Sequence, residues 1–187
     1  MTQLFQMDQY IIRTKLLRIF GGAFYFEDLQ GNVVAYSKQK RFQLREDIVL
    51  FTDESCTVPL LQIKARGIID LGATYDIIDS QTGVNLGSAK RKGLKSVLKD
   101  SWVINDPAGN PYATFVEDSL AIFRRFIPLI PARYHFEVEG YPEILMHQQF
   151  NPIIKRTQIS VPQGHPLDRK VIVAMALLSS AIEGRQN

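Results

Sequence analysis

The chain has 187 residues, of which 45% are hydrophobic and 22% charged. This composition is too apolar for a disordered protein, and the length fits a single domain over residues 1–187 with a sizeable core. The formal net charge of +3 allows an acidic partner but argues strongly for neither lipid nor nucleic acid, and no nucleic-acid partner is expected.

The cysteine content and the N-terminus bear on the compartment. Cys56 is the only cysteine, which excludes an internal disulfide and a cysteine-rich zinc site. The first 15 residues lack a basic segment followed by an apolar core and a small-residue cleavage site. We therefore expect a cytoplasmic protein, either free or peripheral to a membrane.

Short strands are predicted along the chain up to about residue 161. They are rich in β-branched and large apolar residues, and clusters of Gly, Asp, Asn and Pro separate them. The clearest cover residues 8–18, 23–26, 33–36, 49–51, 60–63, 75–78, 84–86, 102–104, 112–116, 136–138 and 144–145. Gly21 and Gly22 are expected to break the chain between the first two strands. In residues 133–139, Tyr134, Phe136 and Val138 fall on one face, as expected for a half-buried strand.

The strands recur in pairs around acidic turns. Asp28 to Gly31, Asp79 to Gly83 and Asp106 to Gly109 each join two strands, and looser copies follow residues 51 and 138. Such turns suit hairpins, because Asp bonds locally to the backbone and Gly supplies a positive φ. These units recur about every 25–33 residues, whereas a propeller blade of four strands needs a period of roughly 40 residues. A closed meander is therefore the better interpretation.

An apolar helix is predicted at the C-terminus, over about residues 166–183. Every residue from 171 to 178 is apolar, Pro166 suits a first helical turn, and Gly184 suits the position after the end. Asp168 would lie at the favourable end of the helix dipole. The apolar run is shorter than the roughly 20 residues that span a bilayer, so we expect a buried core helix and no transmembrane span.

A barrel of about twelve strands is wider than its own side chains can fill, and this helix is the obvious filler. The predicted fold is therefore mainly β, a closed antiparallel barrel around a buried C-terminal helix. Two stretches resist the scheme: residues 119–126 could form a short helix or a strand, and residues 126–131 a buried crossing or an exposed loop.

The hairpins and the final helix together resemble a known family. The helix reads D-R-x-x-V-x-A-x-A-x-x-L, and the residues that carry the resemblance are Asp168, Arg169, Val171, Val173, Ala174, Ala176 and Leu177. With the three Asp–Gly turns, this pattern resembles the LURP-one-related proteins, which belong with phospholipid scramblases and tubby C-terminal domains in one structural superfamily. The resemblance covers nearly the whole chain, and it implies a twelve-stranded barrel around a buried helix.

The resemblance also implies candidate functions. Tubby domains bind phosphoinositides partly through a Gly-Lys-x-Arg element on a strand, and scramblases are associated with calcium-dependent lipid movement. The nearest match here begins at Gly87, and Lys90 and Lys92 would share one strand face. The cysteine-rich segment that would permit palmitoyl anchoring in scramblases is absent from this sequence.

The densest basic cluster is the candidate binding site. It consists of Lys90, Arg91, Lys92, Lys95 and Lys99. Cations near an anionic membrane each contribute roughly 1 kcal/mol, so the cluster predicts a weak dock on lipid. The alternative is a solvated hairpin whose charges prevent pairing with other chains.

No motif predicts a reaction, a cofactor or a metal. His135, His147 and His165 show no metal-ligand spacing, and the sequence has neither a G-x-S-x-G elbow nor a phosphate-binding loop. Ser179 and Ser180 lie within the predicted helix, where each hydroxyl can bond back to a carbonyl one turn earlier.

The leading hypothesis is a non-enzymatic binding or scaffold domain that docks on anionic membrane lipid or on a protein partner. The first alternative is scramblase-like movement of phospholipid across the bilayer. The second is an enzyme whose site is assembled at a barrel mouth.

Overall fold

The structure, a computed structural model, describes residues 2–17, 21–39, 47–66, 73–92, 101–118, 131–149 and 154–186. Lys95, Lys99, the first undecided stretch (residues 119–126) and all of the second (residues 126–131) except Pro131 lie outside these ranges. The strands are β1 (Gln9–Leu17), β2 (Gly21–Glu27), β3 (Val33–Gln39), β4 (Ile48–Phe51), β5 (Pro59–Ala65), β6 (Thr74–Asp79), β7 (Asn85–Arg91), β8 (Ser101–Asn105), β9 (Pro111–Glu117), β10 (Arg133–Glu137), β11 (Ile144–Gln149) and β12 (Lys155–Ser160). A 3₁₀ helix (Gln3–Gln6) precedes them, and helix α1 (Arg169–Gln186) follows.

The twelve strands form one closed antiparallel barrel. Each strand pairs with its neighbours in sequence, and β1 pairs with β12 to close the ring, with Gln9 opposite Ser160. This confirms the predicted fold class. Gly21 and Gly22 do not break the chain as predicted: they are the first residues of β2, paired with Leu17 and Leu16.

Alternation along the strands separates an inner from an outer face. Tyr134 and Phe136 of β10 are buried, whereas Arg133 and Glu137 are exposed and His135 is half-buried. The same alternation holds in β6 and β8, where Trp102 and Tyr75 pack with ring centroids 5.9 Å apart. The inner faces therefore supply one continuous apolar lining.

Helix α1 occupies the core of the barrel. Every residue from 171 to 181 is at most 6% exposed, and the helix contacts both β1 and β2 on one side and β5, β6 and β7 on another. Ser179 and Ser180 donate to the carbonyl oxygen of Ala176 at 3.1 and 2.8 Å, which confirms the predicted back-bonding. A helix that is apolar on all sides is stable here because the barrel encloses it completely.

The predicted limits of this helix are wrong by about three residues at each end. Asp168 acts as the N-cap: its Oδ1 accepts from the N–H of Lys170 at 2.7 Å, so the helix begins at Arg169. Pro166 therefore lies in the preceding loop. Gly184, expected beyond the end, lies inside the helix, which continues to Gln186.

Two ion pairs fix the start of α1 to the barrel. Arg169 donates to Asp8, just before β1, and Lys170 donates to Asp79 at the end of β6, each at 2.5 Å. Burial raises the pKa of Asp79, but the hydrogen bonds from Lys170 and from the N–H of Gln81 outweigh it, so the pKa lies below its usual value. Asp79 therefore remains ionised and paired.

The described hairpin turns all lie at one end of the barrel. In the turn from β2 to β3, Asp28 Oδ1 accepts from the N–H groups of Gln30 and Asn32 at 2.9 and 2.8 Å, and Gly31 has a φ of 91°. Asp106 and Gly109 repeat this arrangement between β8 and β9. We call this the turn end; the 3₁₀ helix and the start of α1 lie there too. The other end of the barrel is the opposite end.

Candidate basic surface on the outer wall

The described part of the predicted basic cluster lies at the end of β7. Lys90 and Lys92 are exposed on the outer face, as predicted, and Arg91 is half-buried on the inner side with its guanidinium 5.9 Å from the Trp102 ring. The structure therefore separates Arg91 from its neighbours. Of the predicted set, Lys90 and Lys92 lie together on the surface.

Position 87 requires glycine for a structural reason that is independent of any ligand. Its φ is 133°, and a Cβ there would lie 2.2 Å from the carbonyl oxygen of Asn105 in β8. Only glycine allows β7 and β8 to approach this closely. The glycine of the sequence match is thus explained by strand packing.

Three further lysines extend Lys90 and Lys92 into a larger surface. Lys15, Lys38 and Lys64 are all exposed, and each lies near the end of its strand, as Lys90 does. Ala23 of β2 pairs with Lys15 on one side and Lys38 on the other, so these two lysines lie at the same height two strands apart. Alternate strands are about 10 Å apart. We call Lys15, Lys38, Lys64, Lys90 and Lys92 the basic stripe.

Four of these lysines make no ion pair with any described residue: Lys15, Lys38, Lys64 and Lys90. Arg66, just beyond β5, differs, because Asp76 accepts from both its Nε and Nη2 at 2.8 and 2.5 Å and cancels its charge. Among the described residues, these four lysines therefore carry positive charge that no ion pair compensates.

The sequence carried a signal for this stripe that a search for adjacent charges misses. Lys15, Lys38, Lys64 and Lys90 are 23, 26 and 26 residues apart, which is the length of one hairpin repeat. Because each repeat returns the chain towards the opposite end two strands further on, lysines at one repeat position form a row around half of the barrel, from β1 to β7. In the strand register, Lys64 lies two residues nearer that end than Lys38, and Lys90 two residues nearer than Lys64.

The turn end has the opposite charge. At this end, Arg169 and Lys170 at the start of α1 are paired with Asp8 and Asp79. The turns, the loop before α1 and the residues around the 3₁₀ helix contain no Lys or Arg, but they contain eight acidic residues: Asp8, Asp28, Asp53, Glu54, Asp106, Glu139, Glu143 and Asp168. The basic residues are concentrated towards the opposite end. The described charges are thus segregated along the barrel axis.

His135 is the centre of a polar cluster on the outer face of β10. Its Nδ1 lies 2.7 Å from Asp118 Oδ1 and its Nε2 3.0 Å from Glu137 Oε1, and the Thr114 hydroxyl donates to Glu137 Oε2 at 2.6 Å. Burial lowers the pKa of His135, but the hydrogen bonds to Glu137 and Asp118 raise it by more than burial lowers it. The pKa of His135 therefore lies above its usual value. This favours the imidazolium, which is a poor general base.

Two further searches of the described residues bear on function. They contain no group of three or more His, Cys, Asp or Glu side chains arranged to hold a metal ion. In the same part of the chain, no helix combines the length and apolar character needed to cross a bilayer.

One solved structure has the same fold. The X-ray structure of a protein from Arabidopsis thaliana matches over 94% of this chain and 91% of its own, with a TM-score of 0.55 and 15% sequence identity. No protein-family model matches the chain, and the comparison with curated proteins found no relative. At this identity the similarity shows a shared barrel architecture.

Proposed function

We propose that this protein is a non-enzymatic docking domain that binds the anionic surface of a membrane through its basic stripe. The observation that carries the proposal is the row of Lys15, Lys38, Lys64 and Lys90 on alternate strands β1, β3, β5 and β7, none of which pairs with a described residue. A row that runs around half of the barrel near its opposite end spreads charge over a broad area, which suits many lipid headgroups better than one small ligand.

The charge segregation along the barrel supports one orientation. An anionic membrane attracts the opposite end and repels the acidic turn end, so the barrel would stand with its turns away from the lipid. The resemblance to tubby and scramblase-like proteins is consistent with a lipid partner. We place this contact on the cytoplasmic face of a membrane, where anionic lipids are enriched.

Sedimentation with vesicles tests the proposal. Binding to phosphatidylcholine vesicles that contain about 30% phosphatidylserine should be measurable at low salt and should fall steeply as the salt concentration rises. The double variant Lys38→Gln/Lys64→Gln should bind roughly 30-fold more weakly, because each lysine contributes about 1 kcal/mol.

A matched control makes the same change in net charge elsewhere. Gln30→Glu/Gln163→Glu also lowers the net charge by two, but these exposed residues lie at the turn end, in the turn after β2 and in the loop before α1. It should lose much less affinity. Equal losses in the two double variants, or equal binding to vesicles of phosphatidylcholine alone, would refute the proposal.

A further inference from the structure

A second surface lies on the other side of the barrel, where β9, β10 and β11 face solvent. The described residues 101–118 and 131–149 contain one basic residue, Arg133 at the start of β10. They contain six acidic residues: Asp106, Glu117, Asp118, Glu137, Glu139 and Glu143. In a chain with a net charge of +3, this is a strong local excess of negative charge.

A groove runs along this wall near the turn end. It has a volume of about 480 Å³. One side is lined by residues of β9 and the other by the end of β10 and the two residues after it: Pro111, Tyr112, Ala113, Thr114, Glu137, Val138 and Glu139. This volume falls within the range of roughly 300–1,000 Å³ that small-ligand sites occupy. The groove therefore has room for one or two side chains.

The carboxylates of the groove differ in their availability. Both oxygens of Glu137 are engaged, with His135 and with the Thr114 hydroxyl. Glu139 is exposed and makes no hydrogen bond or ion pair with the described residues. Glu139 is thus the group free to accept from an incoming cation.

Exposed apolar side chains accompany these charges. Tyr112 on β9 lines the groove and is 36% exposed. Tyr141, in the turn between β10 and β11, is 51% exposed, and Leu145 on β11 is 52% exposed. Burial and the negative charges of Asp168 and Asp106 raise the pKa of Tyr112 to about 12. Aromatic faces beside carboxylates favour cationic groups with apolar neighbours.

We propose that this groove binds a basic segment of a partner protein, with a Lys or Arg side chain on Glu139 and an apolar or aromatic side chain on Tyr112. Charge complementarity selects this occupant, since an anionic membrane would be repelled here. A small cation alone would leave Tyr141 and Leu145 uncovered. The barrel is closed, so the segment binds through its side chains and does not add a strand to a free edge.

Fluorescence anisotropy with defined peptides tests this proposal. The probe is a labelled peptide of about twelve residues in which Arg alternates with Leu and Trp; two matched peptides carry Glu for Arg, or Ser for Leu and Trp. The first peptide should bind saturably, and each matched peptide should bind at least about tenfold more weakly, since both the charge and the apolar contacts are required.

Variants of the protein locate the site. Glu139→Lys and Tyr112→Ser should each raise the Kd of the basic peptide at least about tenfold. Glu54→Lys is the matched control, because it makes the same charge change on an exposed turn residue between β4 and β5. It should change the Kd by less than about threefold, and thermal melts should show that all three variants are folded.

Three outcomes would overturn the proposal. One is no saturable binding of the basic peptide; another is an equal loss for Glu54→Lys and Glu139→Lys, which would mean a diffuse charge effect. The third is binding of phosphatidylcholine vesicles that Tyr112→Ser abolishes, with no peptide binding, which would assign this face to a membrane. The basic stripe is unaltered in these variants, so failure here leaves the lipid proposal intact.

Discussion

At the scale of single residues, Cys56 shows a mismatch between side chain and backbone. It has a φ of 56°, in the turn position where Gly31 and Gly109 have φ values of 91° and 93°. Its N–H donates to the carbonyl oxygen of Asp53 at 3.2 Å, as the N–H of Gly31 does to that of Asp28. A side chain in this left-handed region costs about 1–2 kcal/mol.

Replacing Cys56 by glycine should therefore stabilise the protein. Relief of the strain raises the free energy of unfolding, but the greater freedom of glycine in the unfolded chain lowers it by about 0.4–1 kcal/mol. The net gain in the free energy of unfolding should be about 0.5–1 kcal/mol. Urea unfolding measures it. Cys56→Ala is the control, since it removes the thiol but keeps the strain; a gain as large as that of the glycine variant would contradict this explanation.

His135 should make stability depend on pH near neutrality. Its pKa in the folded protein lies above the usual value of 6.5, so its contribution is fully present below pH 6.5 and is lost as the pH rises through the folded pKa. The difference in unfolding free energy between the wild type and His135→Gln should accordingly be largest near pH 6 and shrink by about pH 8.

The control for this titration is Gln149→Ala, which replaces an exposed residue without a titratable side chain on the neighbouring strand β11. Its stability difference from wild type should stay nearly constant over the same range. A His135→Gln difference that grows towards alkaline pH would show that the ion pairs with Asp118 and Glu137 are not what stabilises this cluster.

At the scale of elements, α1 depends on the barrel rather than on its own helix propensity. Leu177 is 1% exposed and sits among other fully buried residues. Leu177→Ala should cost about 2–5 kcal/mol of unfolding free energy, from lost apolar burial and the cavity left behind. Chemical denaturation gives this value directly.

Leu145→Ala supplies the comparison, because Leu145 is 52% exposed on β11 and should cost less than about 0.5 kcal/mol. A more severe change, Ala174→Asp, puts a carboxylate in the apolar core and should abolish folding. Similar costs for the two leucine variants would mean that α1 is not packed inside the barrel.

Sequence reasoning succeeded where a local signal decides the structure. The acidic turns were predictable because Asp28 and Gly31 act within a few residues, and α1 because its apolar run has no polar side. The helix ends were misplaced because Asp168, a better cap than Pro166, competes for the same turn. The stripe was only partly predictable, because the strand register brings Lys15, Lys38, Lys64 and Lys90 towards one end of the barrel although they are far apart in the sequence.

At the scale of the whole molecule, the core and the wall should form together. The inner faces of the strands and α1 bury each other, and Leu4 and Phe5 of the 3₁₀ helix pack into the same core. A chain that ends after Pro166 should show no cooperative thermal transition, as its lining would face water. A truncated chain with a cooperative melt would contradict this architecture.

The seam between β1 and β12 has a consequence for synthesis on the ribosome. Gln9 of β1 pairs with Ser160 of β12, and Asp8 forms an ion pair with Arg169. The partners of β1 at this seam are therefore translated about 150 residues after β1 itself. The hairpins joined by Asp28 and Asp106 can pair as soon as they emerge, but none can bury its apolar face until α1 leaves the exit tunnel. Nascent chains should therefore depend on chaperones until α1 has emerged, and the barrel should close only once β12 and α1 are both outside the tunnel.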